Sequence, residues 1–234
     1  MNISSEVLKQ EFVNHNTTTT KNEEIEKDGY VVVKNLWNPE ELYYPLPKER
    51  GRLLFFGSIE KFTYDAEDYQ GIPGSLLRNN HPQYKKIYNA VRLKVEKIIG
   101  RKLNRTYYYD RFYFPGQTFP DHLGEDPCEI TVKIIASTNL TESWPAYIKT
   151  PDIYQEENHG GNPIIMIPGT QTPLNLDPGD AVIYKGCERP FWREPMPSPK
   201  RKWFSKKGID GIYYHEISFQ YVLSDGQRAH ITAS

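Results

Sequence analysis

Tyr107–Thr131, YYYDRFYFPGQTFPDHLGEDPCEIT, decides how this chain is read. It opens with an aromatic run suited to a strand, because such side chains fit a pleated, half-buried surface. Pro115-Gly116 then turns the chain. One histidine follows, His122, beside the acids Asp121, Glu125, Asp126 and Glu129. A histidine with carboxylates just past a strand is how a β-fold builds a mononuclear metal site, since imidazole and carboxylate together suit non-heme Fe(II). The residue two places after His122, however, is Gly124, which offers no side-chain ligand.

Outward from this stretch the pattern stays β-rich. Asp28-Gly29 leads into Tyr30–Val33, a strand. Further strands are expected near 107–114, 128–137, 145–149, 163–167, 181–185 and 213–223, separated by turns at Pro115-Gly116, Asn158–Gly161, Pro168-Gly169 and Pro178–Asp180. His159, within Asn158–Gly161, reads as a turn residue. Two helices are expected on the N-terminal side. Asn38-Pro39 is an N-cap followed by proline at the first helical position. Tyr84, Ile87, Tyr88, Val91, Val95, Ile98 and Ile99 recur at helical spacing until Gly100 stops them. Short strands after a leading helical region predict a mainly β domain with flanking helices (α+β), a jelly-roll with helices on one face. Residues 1–27 are polar and read as an N-terminal arm available to a neighbouring subunit, with the domain spanning 28–234.

Composition narrows the function classes. The net charge of −1 gives no global field for nucleic acid or an anionic membrane. One basic loop, Lys200–Lys207, reads as solvated. No apolar run approaches the ~18 residues a membrane helix needs, and the N-terminus shows no signal-peptide pattern. The expectation is a soluble protein of a bacterial or infected-host cytoplasm, or of a virion. Cys128 and Cys187 read as free thiols rather than a disulfide framework.

The ordered blocks resemble the Fe(II)/2-oxoglutarate-dependent oxygenases, in particular a compact prolyl-hydroxylase-like group of bacteria and bacteriophages. That group shows R-x-Y, then G-x-x-L-x-x-H-x-D, then C-E-[IY]-[ST]; here stand Arg111, Tyr113, Gly116, Phe119, His122 and Cys128–Thr131. Its later blocks match Trp144–Tyr147, Leu176–Glu188 and Phe191–Glu194, and its closing strand matches Ile217–Val222. The resemblance implies a double-stranded β-helix (jelly-roll) over roughly residues 28–226. It also implies a facial triad of two histidines and a carboxylate holding Fe(II), with 2-oxoglutarate as co-substrate. Carried over residue by residue, only His122 survives: Gly124 stands at the aspartate and Phe191 at the distal histidine.

Three readings follow. A rewired metal site would combine His122 with Asp126, Glu125 or Asp121 and with His215, while Arg111 or Arg193 held the co-substrate carboxylate. That enzyme would be a dioxygenase, a hydroxylase or, since Gly124 frees a position for chloride, a halogenase. A metal-free pseudoenzyme would instead hold a small acid through Arg111, Arg193 or Lys133, because arginine grips carboxylates bidentately. The reading adopted is a catalytically silent jelly-roll without catalytic residues or cofactor. It would serve as a structural or protein-interaction component, for example of a phage particle, through protein partners or self-assembly.

Overall fold

The computed structural model describes residues 21–42, 64–65, 72, 74–156, 164–198 and 212–232. Residues 1–20, His159 with its turn, and the basic loop 200–207 lie outside that set. Thirteen strands are described: β1 (Tyr30–Val33), β2 (Tyr64–Asp65), β3 (Leu76–Asn79), β4 (Leu103–Tyr113), β5 (Phe119–His122), β6 (Ile130–Thr138), β7 (Ala146–Lys149), β8 (Ile153–Glu156), β9 (Ile164–Ile167), β10 (Gln171–Leu174), β11 (Ala181–Lys185), β12 (Phe191–Arg193) and β13 (Tyr214–Leu223). Residues 21–28 form helix α1; α2 is Pro39–Leu42 and α3 is Lys85–Ile99.

The larger sheet has the order β1-β11-β6-β13-β4-β3-β2 and the smaller one β10-β7-β12-β5, with β8 and β9 forming a separate ribbon. From β4 onward the chain passes between the two sheets, and every described pairing is antiparallel. Successive crossings wind two layers around one interior, which is the double-stranded β-helix the sequence leads one to expect.

α3 stops where the chain turns left-handed at Gly100, φ +67°, which glycine adopts without a Cβ clash. Its buried face, Tyr88, Val91, Val95 and Ile99, covers the outer side of the large sheet. Each such side chain contributes roughly 1.5–3 kcal/mol on burial. The facing strand residues include Val132, Ile134, Ile217 and Phe219. A second apolar cluster fills the space between the sheets, with Tyr113, Phe119, Ile135, Ala146, Ile148, Val182, Tyr184 and Phe191. β6 and β13 therefore have cores on both faces and are buried through nearly their whole length, as expected of strands covered on each side.

Some elements differ from the sequence reading. The expected arm includes α1, whose Ile25 is buried in the outer core and whose Glu26 accepts from Lys185 Nζ of β11 at 3.0 Å. β2, β3, β5, β8, β10 and β12 lie outside the strands that the sequence leads one to expect. β12 has three residues, and β5 and β10 each carry a proline, Pro120 and Pro173. Both lie at the edges of the small sheet, where a missing ladder donor is tolerated. The Asn38 cap is present: its Oδ1 accepts from the Glu40 backbone N–H at 3.1 Å.

Candidate functional site

Strand alternation sorts the polar residues onto two faces. On β4, Tyr107, Tyr109, Arg111 and Tyr113 face the interior, and Tyr108, Asp110 and Phe112 face the outer layer. On β13, Glu216, Ser218 and Gln220 face inward, and His215 lies on the outer side with Asp110. This one-residue difference separates the residues expected to share a metal.

His122 ends β5 and lies opposite Phe191 of β12. Its Nδ1 is 3.1 Å from the Pro120 carbonyl, and its ring meets Phe119 edge-on at 4.6 Å. Burial pushes its pKa down, the Lys133 ammonium adds to that, and Pro120 and Asp121 pull the other way. His215 is fully buried on the other face of the large sheet. A carboxylate only accepts, so His215 Nε2–H donates to Asp110 Oδ2 at 2.8 Å, and the ring stacks on Phe112 with centroids 3.9 Å apart. Asp110 also accepts from Arg78. Asp126, beyond β5, accepts from Arg228 Nε at 2.8 Å in an exposed pair. His122, Asp126 and His215 thus hold separate partners. Among the described residues, no three His, Cys, Asp or Glu side chains are grouped to hold a metal ion.

The position of Gly124 is closed as well. Its N–H donates to the Gly186 carbonyl at 2.8 Å. A Cβ there would meet the Cys128 Cβ at 2.7 Å and the Gly186 oxygen at 3.2 Å, so a carboxylate side chain does not fit without local movement. The Phe191 ring stacks on Tyr184 at 5.2 Å and fills the space opposite His122.

The interior charges form a different set. Glu216 accepts from Lys133 Nζ at 2.7 Å and from Arg193 Nη2 at 2.8 Å, and all three side chains are no more than 2% exposed. Arg193 also donates to the Trp144 carbonyl at 2.7 Å and to the Tyr214 hydroxyl at 3.1 Å. The Lys133 ammonium lies 4.5 Å from the Phe119 ring centroid and 5.0 Å from that of Phe191, within cation–π range. Burial alone would raise the Glu216 pKa, but Lys133 and then Arg193 hold it down at about 2. Arg193, expected to grip a co-substrate carboxylate, grips one belonging to the chain. Arg111, the other expected gripping residue, is buried on β4 and donates to Ser75 Oγ at 3.3 Å.

Two clefts open at the mouth of the interior. One of about 340 Å³ is lined by residues including Tyr107, Tyr109, Arg111, Asn79 and Glu125. The other, about 110 Å³, runs past His122, Gly124, Cys128, Lys133, Tyr184 and Gln220. Cys128 is a buried thiol beside the Tyr107 hydroxyl, at 3.1 Å, and burial pushes its pKa up. Cys187 is also free.

No protein-family model matches the chain, and no curated protein matches it in sequence. Solved structures do match its fold. A prolyl-4-hydroxylase of Pseudomonas putida superposes with a TM-score of 0.55 at 11% identity, covering 87% of this chain and 97% of the other. A prolyl hydroxylase of Trichoplax adhaerens, in complex with a hypoxia-inducible-factor peptide fragment, gives 0.55 at 10% identity over 100% and 99%. The non-heme α-ketoglutarate-dependent epimerase SnoN of nogalamycin biosynthesis gives 0.60 at 9% identity over 88% and 81%. The chain has the fold of the Fe(II)/2-oxoglutarate oxygenases, while its described interior residues do not supply the donor set that such a metal needs. No described helix is long and apolar enough to cross a membrane.

Proposed function

We propose that this chain is an oxygenase-fold protein that has given up oxygenase chemistry and works through protein contacts. The observation that carries the proposal is what stands around His122: Gly124, the Phe191 ring and the Lys133 ammonium. Lys133 already disfavours positive charge on His122, and a divalent ion bound there would meet the same field. Apolar surface for contacts is available on the ribbon, where Ile153 and Ile167 stand directly opposite one another and both are exposed, as is Met166. Exposed apolar side chains gathered on one element are what a contact surface supplies.

Thermal unfolding of the purified protein with Fe(II), with 2-oxoglutarate and with both tests this. A ligand that binds the native state raises the melting temperature by mass action. The expected result is no rise in any combination, and the same behaviour in His122→Ala. A saturable rise that His122→Ala abolishes overturns the proposal and favours an active dioxygenase with a rewired site.

A further inference from the structure

We propose that the interior between the two sheets is a carboxylate-binding site whose resident ligand is the chain's own Glu216 side chain. Both cations that hold Glu216 are positioned by groups other than Glu216. Arg193 is fixed by the Trp144 carbonyl and the Tyr214 hydroxyl. Its guanidinium carbon also lies 4.9 Å from the Trp144 ring centroid and 4.7 Å from that of Tyr214. Lys133 is fixed by its strand and by the Phe119 and Phe191 rings. Guanidinium and ammonium converge from different sheets, β12 and β6, so that each carboxylate oxygen has its own donor. That is the construction of a built anion site: two charged donors held in place by a surrounding shell.

Glu216 fills the site from β13, on the large sheet, as a covalently tethered ligand. A cleft of about 110 Å³ reaches Lys133, one of the two donors. Replacing glutamate by alanine removes a CH₂–COO⁻ group, which has the atoms of acetate. The ligand class is therefore a short monocarboxylate, with acetate the best match once the tether is gone. Native protein has no vacancy for it.

The experiment compares wild type, Glu216→Ala and Glu216→Gln in sodium acetate and in sodium chloride at equal ionic strength and neutral pH, following thermal unfolding. Glu216→Ala is expected to show a saturable rise in melting temperature with acetate beyond that in chloride. Wild type and Glu216→Gln, whose side chains fill the site, are expected to show none. Equal responses to the two salts in Glu216→Ala overturn the proposal. If Glu216→Ala does not fold in chloride, refolding is scored by near-ultraviolet circular dichroism. Recovery in acetate alone supports the proposal, and failure in both salts overturns it. The result stands apart from the Fe(II) measurement: acetate uptake by the variant says nothing of whether wild type binds metal, and each proposal can fail alone.

Discussion

Glu216 is a buried carboxylate held between two cations, and its stability contribution has a definite sign. Its pKa is held at about 2 against an ordinary value of 4.5. A depressed carboxylate contributes stability that is fully present above the unfolded-state value and is lost as pH falls through the folded one. The window is therefore pH 4.5 down to about 2, and the difference corresponds to roughly 3 kcal/mol. Urea unfolding of wild type at a series of pH values across that window is expected to lose stability, and Glu216→Gln is expected to have a flatter acid limb. Parallel limbs in the two proteins would remove Glu216 from the account. At neutral pH, Glu216→Gln is expected to be the less stable of the two, because it leaves Lys133 and Arg193 buried without a counter-charge. Breaking one partner of a buried pair typically costs ~3–5 kcal/mol.

At the scale of elements, α3 does more than cover the large sheet. The pairing of β13 with β4 shifts register between Phe219 and Tyr221, and a bulge leaves ladder groups unpaired. The Tyr88 hydroxyl, reaching down from α3, takes two of them: it donates to the Gln220 carbonyl at 2.6 Å and accepts from the Thr106 N–H at 2.8 Å. Tyr221 returns the contact, its hydroxyl donating to the Tyr88 carbonyl at 2.9 Å. The helix and the bulge are thus one unit. Tyr88→Phe keeps the ring and strands both backbone groups, so a loss of about 1–3 kcal/mol is expected, read as a lower urea midpoint at unchanged slope. A variant as stable as wild type would show that other groups satisfy the bulge.

For the whole molecule, the large sheet is common property. One core lies between it and the helices, the other between it and the small sheet. β6 and β13 supply residues to both, so neither layer can leave without exposing a face of the same strands. Unfolding by heat is expected to be a single calorimetric transition whose van't Hoff and calorimetric enthalpies agree. Two resolved transitions would mean that the helical layer melts alone. The ion set spans the layers as well, since Lys133 and Glu216 come from the large sheet and Arg193 from the small one.

Local signals carry local elements. Gly100 ends α3, Asn38 caps α2, and the residues from Ala181 to Lys185 read as a strand and form one. β12 and the proline-bearing β5 and β10 are strands only because the small sheet lends them partners, and no short window of sequence records a partner. The interior ion set did leave a trace: Lys133 is a lone charge within the apolar run ITVKIIA, and Glu216 a lone opposite charge in YYHEISFQYV. Single charges inside strands that are otherwise buried must be compensated, and that signal points to the pair without saying that they meet.

The jelly-roll class, the main helix and the lack of ligand side chains at Gly124 and Phe191 are legible in the chain alone, because periodicity, turns and residue chemistry are properties of residues in order. That His215 meets Asp110 on the outer layer while Glu216, one residue on, meets Lys133 and Arg193 inside is visible only in the folded chain. The physical reason is the two-residue period of a strand. The face on which a side chain emerges depends on how β13 is seated between β6 and β4, and that seating is fixed by pairings between residues far apart in the chain, such as Ile217 with Ile134 and with Asp110.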